Sequence, residues 1–239
     1  MKRLAVLDLG SNTFNLLVIE VEKNQPKIIY ESKTPVKIGE NSFSTKILQP
    51  KPIERGKSAI FSHVLKAKEF NVSQIFGIAT SAIRSASNGE SFISDLNDEF
   101  NLNIEIISGN QEAELIYYGV KSSLNWDGKA MLIDIGGGSN EISIASQNQS
   151  YFSKSYDLGV SRIKQKFDGE LPLSTRRIKE IKDFYDNSIK SEYNIDGFRH
   201  DATKHIPIEF WNTLTHKLKI NTALHNQNRL LQIGETFGS

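Results

Sequence analysis

The 239-residue chain has no cysteine, which excludes a disulfide framework and a thiolate metal cluster. It also lacks any apolar run long enough to cross a bilayer as a helix. Lys2 and Arg3 are followed by only a few apolar residues before Asp8, which is not the pattern of a secretory leader, so a cytoplasmic location is expected. Net charge is nearly absent: 29 basic against 28 acidic side chains leave +1. Bulk attraction to DNA or to an anionic membrane surface is thereby excluded, and any anion site must be local. The 38% of hydrophobic residues is enough for one large or two ordinary domains.

What the chain does have is an internal repeat. It opens with "LAVLDLGSNTFNLLVIEV" from Leu4 and returns to nearly the same pattern with "LIDIGGGSNEISI" from Leu132. Asp8 matches Asp134, Gly10 matches Gly136, Thr13 matches Ser139 and Asn15 matches Glu141. In each copy an apolar stretch of strand length ends in an acid, small residues follow, and a strand pattern resumes. Each copy therefore reads as strand, tight turn, strand.

Between and after these hairpins the chain alternates strands with helices. "PKIIYESKTPVKI", "QIFGIATS" and "LNIEIIS" read as strands. "IERGKSAIFSHVLKAKEF" carries Ile53, Ile60, Val64 and Leu65 at helical spacing, and "AIRSASNGESFISDLNDEF" is at least partly helical. After Gly109, Ala113, Ile116, Val120 and Leu124 share one face of a helix, whose start is marked by a capping box of Ser108 with Gln111. This order predicts α/β architecture, with a mainly parallel or mixed sheet covered on both faces. A turn at "NWDGKA" places a domain boundary near Asn125, giving domains 1–125 and 126–239. Beyond Gly159 a helix follows, and Ser174 caps another with Ile178, Ile181, Tyr185 and Ile189 at helical spacing. "IEFWNTLTHKLKI" is expected to be helical, while "LHNQNRLLQI" stays ambiguous.

Glycine allows a ligand to approach the backbone with no Cβ in the way, so successive amides can point at phosphate oxygens. Thr13 and Ser139 add hydroxyl donors. An acid ending an inner strand needs a partner or a metal, and Mg²⁺ commonly sits between a carboxylate and phosphate oxygens. Two such hairpins would clamp a polyanion. A Walker loop is excluded because no lysine follows the glycines and a strand, not a helix, comes next; a dinucleotide fingerprint fails for the same missing helix. A lone Gly-Gly-Gly-Ser is a common turn, so the weight rests on the matched pair.

"LDLGSNTFNLLVIE", "GIATSAIRSASNG", "EIISGNQEAELIYYGV", "LIDIGGGSNEISI" and "YDLGVSRI" resemble, in this order, the motifs of the exopolyphosphatase and guanosine pentaphosphate phosphatase family. The resemblance covers roughly the first two thirds of the chain. It implies two ribonuclease-H-like domains of the actin-like ATPase superfamily, facing across a cleft. Glu112 matches the family's catalytic base, which would orient and deprotonate a water; the alternative is an acid in the first turn of a helix, suited to the macrodipole. Arg84 matches an arginine that reaches the phosphates. Asp8 and Asp134 match acids associated with Mg²⁺. Glu141 matches an acid on the second loop, with a surface strand residue as the alternative. Gly136, Gly137, Gly138 and Ser139 match the loop around the terminal phosphate, and Ser11, Asn12 and Thr13 its partner. Arg162 is either a further site residue or a surface ion-pair residue.

The expected activity is Mg²⁺-assisted removal of terminal phosphate from inorganic polyphosphate or guanosine pentaphosphate, without DNA or membrane partners and with a homodimer as the oligomeric expectation. A binding-only polyphosphate or nucleotide sensor and an actin-like ATPase or kinase remain as alternatives. Short family members continue past a glycine loop like "IGETFGS", so the second domain is expected to be incomplete here. His200, Asp201 and His205 match no metal spacing well. Arg176, Arg177, Lys179 and Lys182, interleaved with Glu180 and Asp183, fit a solvated helix face better than a polyphosphate path.

Overall fold

The computed structural model of the chain describes residues 2–23, 25–167, 173–188, 197–200 and 231–234. Packing divides it into two units, Met1–Ser108 with Val160–Pro172 and Gly109–Gly159 with Leu173–Ser239.

In the first unit, β1 (Lys2–Leu9), β2 (Thr13–Glu22) and β3 (Gln25–Pro35) form an antiparallel meander. β4 (Gln74–Ala79) pairs parallel to β1, and β5 (Ile104–Ile106) parallel to β4, giving the order β3-β2-β1-β4-β5. Parallel neighbours need crossovers. These are supplied by α1 (Ser42–Thr45) and α2 (Pro50–Glu69) before β4, and by α3 (Ser81–Arg84) and α4 (Gly89–Phe100) before β5. Ala5, Leu7 and Leu9 are buried on one side of β1, so the two-residue period turns Asp8 to the other. α2 buries Pro52, Gly56, Ala59, Ile60, His63, Val64 and Ala67, a continuous stripe at helical spacing. Leu65, expected to face inward, is 46% exposed because it stands one position off that stripe. The edge of β5 is closed by Asn97, whose side chain accepts from Ile104 N at 2.8 Å and donates to Ile104 O at 3.1 Å. One further helix, α6 (Val160–Lys166), also belongs to this unit.

The second unit repeats the plan. α5 (Gly109–Ser123) precedes β6 (Ala130–Ile135), β7 (Asn140–Ala145) and β8 (Ser150–Tyr156), again an antiparallel meander. After α7 (Thr175–Ser188), β9 (Gly197–His200) pairs parallel to β6 and β10 (Leu231–Gly234) parallel to β9. The order β10-β9-β6-β7-β8 is that of the first sheet with each strand replaced by its counterpart. "LLQI", ambiguous in sequence, thus contains the start of a strand. The units divide at Ser108/Gly109, earlier than the turn near Asn125, because α5 packs on β7 and β8 and its residues group with the sheet they cover. Ala113, Tyr117 and Val120 make that contact surface.

Ser174 caps α7 as expected: its Oγ accepts from Arg177 N at 3.2 Å. Ile178, expected to be inward, is 54% exposed. Ile189 and residues 208–220 lie outside the described residues, as do Asp201, His205 and the final glycine loop. Among the described residues no helix is long and apolar enough to cross a membrane.

Candidate phosphate site

The first hairpin turns through Gly10, whose N–H donates to Thr13 O at 3.0 Å. The turn is fixed from outside by the segment that follows β3: Val36 N and Lys37 N donate to Asn12 O at 2.9 and 2.8 Å, and Gly39 N donates to Ser11 O at 3.0 Å. Ser161 Oγ, from α6, donates to Asn12 Oδ1 at 2.8 Å. Asp8 and Asn15 stand opposite each other in the β1–β2 register, and Asn15 Nδ2 donates to Asp8 Oδ2 at 3.0 Å.

The second hairpin makes the same turn, with Gly136 N donating to Ser139 O at 3.0 Å. Here the residue opposite the acid is itself an acid, since Asp134 pairs with Glu141 in the β6–β7 register. Both are buried, Asp134 at 8% and Glu141 at 3% relative exposure, so Glu141 is not a surface strand residue. Ser155 Oγ donates to Glu141 Oε1 at 2.7 Å. Two buried carboxylates in cross-strand register repel one another unless cations or hydrogen-bond donors compensate. That donor set suits a hard, oxygen-seeking cation that keeps several waters and shares substrate phosphates. Among the described residues no group of three or more acidic, histidine or cysteine side chains forms a protein-only cage.

The second loop is seated by Gly159, where a Cβ would overlap backbone atoms of Gly138 and Ser139. Only glycine permits that approach. Leu158, next to it, is buried and its carbonyl accepts from Tyr185 Oη of α7 at 2.6 Å. Burial pushes the Tyr185 phenol up in pKa, while a hydrogen bond with Asn140 opposes that shift.

The remaining candidates divide between the units. Arg84 ends α3, and its Nη1 donates to Ile107 O at 2.9 Å. Arg162 is half-buried against the same short helix: its Nη2 reaches Ser85 Oγ at 3.1 Å and Ser81 Oγ at 3.3 Å, and its guanidinium carbon lies 4.4 Å from the Phe43 ring centroid. Glu112 lies in the first turn of α5, directly before buried Ala113. Tyr117 Oη fastens that helix to Ser146 O at 3.2 Å. Glu112, Asp134, Glu141 and the loop 136–139 thus belong to one unit, while Asp8, the loop 11–13, Arg84 and Arg162 belong to the other.

On α7, Arg176 and Arg177 pair with Glu180, and Lys179 pairs with Asp183. This is the solvated ion-pair face. Gly39, Gly159, Ser155 and Tyr185 support the site although the sequence gives none of them a site role; Gly159 lies within "YDLGVSRI" and Tyr185 on the helical stripe. A signal for two of them is present: in each copy the third strand is followed by a buried apolar residue and a glycine, Ile38-Gly39 and Leu158-Gly159.

The model of the Ppx/GppA phosphatase family matches residues 17–232. Over 186 residues the chain is 28% identical to exopolyphosphatase 1 of Mycobacterium bovis, covering 77% of this chain and 54% of that protein. The chain thus spans about half the length of the curated relative it matches. Among solved structures, an exopolyphosphatase from Cytophaga hutchinsonii superposes with a TM-score of 0.80 at 24% identity, over 95% of this chain and 72% of the other. A Bacteroides thetaiotaomicron protein with an actin-like ATPase fold superposes with a TM-score of 0.51 at 10% identity, over 97% of this chain and 91% of the other. The fold is that of the actin-like ATPases.

Proposed function

Because the chain belongs to the Ppx/GppA phosphatase family, we propose that it hydrolyses a terminal phosphoanhydride bond, with inorganic polyphosphate or guanosine pentaphosphate as substrate. The observation that carries this reading is the buried Asp134–Glu141 pair beside the loop 136–139, in the same unit as Glu112. Glu112 takes a proton from water as the water oxygen bonds to the terminal phosphorus. The bridging P–O bond breaks, and orthophosphate leaves the shortened chain. Amides and hydroxyls of Ser11–Thr13 and Gly136–Ser139, together with Arg84, receive the charge on the phosphoryl oxygens. Asp134 and Glu141 would hold Mg²⁺; Asp8 is the acid at the matching place in the first hairpin. When bound, the ion would neutralise charge on the phosphates. The reading carries with it a cytoplasmic setting, and the near-zero net charge fits a partner bound locally rather than by a broad basic surface.

The test is Mg²⁺-dependent phosphate release from long-chain polyphosphate and from guanosine pentaphosphate, for wild type and Glu112→Gln. The amide is nearly isosteric, so the variant is expected to unfold at the wild-type temperature and to bind substrate, with turnover lower by roughly 10²–10⁴. Unchanged turnover would remove Glu112 from the mechanism. Saturable binding by wild type without any release would favour a sensor.

A further inference from the structure

We propose that Arg162 is a positioning residue for Arg84: it clamps the four-residue helix that carries Arg84 and ties that helix to the first phosphate loop. The inference rests on the hydrolase reading for the role of Arg84, but its geometry is independent of it.

A helix of four residues has no stability of its own, because nucleation costs more than one turn returns. α3 also lacks a side-chain cap, since Thr80 at its N-cap makes none. Arg162 supplies what is missing. Its Nη2 contacts Ser81 Oγ, at the first residue of α3, and Ser85 Oγ, at the residue directly after Arg84. Residues four apart lie on the same face of a helix, so one guanidinium spans the turn. The guanidinium also lies over the Phe43 ring, at cation–π distance.

The helix bearing Arg162 is itself fixed at two other points. Ser161 donates to Asn12 Oδ1 in the first loop. Gln165 Nε2 donates to Gly39 O at 2.7 Å and its Oε1 accepts from Phe43 N at 3.1 Å. Gly39 is the residue that anchors Ser11. Three polar side chains of α6 thus grip the loop 11–13, the segment behind it and α3. The spacing between the loop and Arg84 is set by α6. A lysine would not reproduce this, because its ammonium ends one atom short of Nη2 and has no planar face to lay over the Phe43 ring.

The experiment is a double-mutant cycle of wild type, Arg162→Ala, Arg84→Ala and the double variant, with Arg162→Lys alongside, read as kcat and KM for phosphate release. Arg162→Ala is expected to raise KM and lower kcat/KM by roughly ten- to a hundredfold, and Arg162→Lys not to rescue it. In the Arg84→Ala background the same change should cost little more, the non-additivity expected of coupled residues. A purely structural role would lower the active fraction at unchanged KM and act equally in both backgrounds; that result, or full activity of Arg162→Lys, overturns the proposal. If Arg162→Ala does not fold, Ser85→Ala takes its place in the cycle. If wild type releases no phosphate, the hydrolase reading fails by itself. The cycle is then read in calorimetric affinity for tripolyphosphate, where additivity, or no binding by wild type, overturns the positioning role.

Discussion

At the scale of single residues, the two hairpins differ in the side chain opposite each acid, an amide at Asn15 and a carboxylate at Glu141. Glu141→Gln replaces the buried carboxylate opposite Asp134 with an amide while leaving an oxygen for Ser155 to donate to. In metal-free buffer the variant is expected to unfold near the wild-type temperature, and to lose any upward shift that Mg²⁺ gives wild type. Thermal unfolding with and without the ion reads both effects; a wild-type-sized Mg²⁺ shift in the variant would place the ion elsewhere. A second buried titratable group gives a pH dependence. His63 lies with Nε2 3.2 Å from Phe14 O and Nδ1 3.4 Å from Ser32 Oγ. Burial lowers its pKa, against the opposing pull of the Phe14 carbonyl. The unfolded chain therefore binds the proton more readily, and His63 costs stability as pH falls below its unfolded value of about 6.5. His63→Gln should flatten this acid limb. Urea midpoints compared at about pH 7.5 and about pH 5.5 would show it, and an unchanged slope would exclude the group.

At the scale of elements, the approach of the Leu158-Gly159 link to the second loop allows no side chain. Gly159→Ala forces backbone apart and is expected to cost about 1–3 kcal/mol, with a rise in KM because the displaced atoms belong to Gly138 and Ser139. Urea unfolding and substrate titration test the two effects separately. Much of this level was legible in sequence. The hairpins could be read because a two-residue period ending in Asp-x-Gly appears twice, and the cap of α7 because Ser174 precedes a helical stripe. Leu65 and Ile178 were misread because a stripe of hydrophobic residues is wider than the contact it makes, and His63 and Gly56 fill the interior of α2 instead. The placement of α6 was not legible. Its polar residues Ser161, Arg162 and Gln165 look solvated until their partners Asn12, Ser81, Ser85 and Gly39 are known, all of them more than 75 positions away in the chain. The candidate site residues rest on family motifs, whereas Ser155 and Tyr185 act through contacts that no local pattern encodes.

At the scale of the whole chain, the units are interleaved in sequence: the polypeptide leaves the first at Ser108, returns at Val160 and leaves again after Pro172. Residues 1–125 alone would carry α5 without the sheet it covers and lack α6. That fragment is expected to melt broadly, whereas residues 1–108 joined by a short linker to 160–172 should unfold cooperatively; circular dichroism on both decides, and a sharp transition for 1–125 would restore the boundary near Asn125. The two sheets share strand order, and both turns are closed by the same backbone bond, Gly10 to Thr13 and Gly136 to Ser139. The backbone of the turn is thus common to the two hairpins, while the side chain facing its acid differs, an amide in one and a carboxylate in the other. One frame thus presents its acid to a neutral neighbour in the first unit and to a second acid in the other.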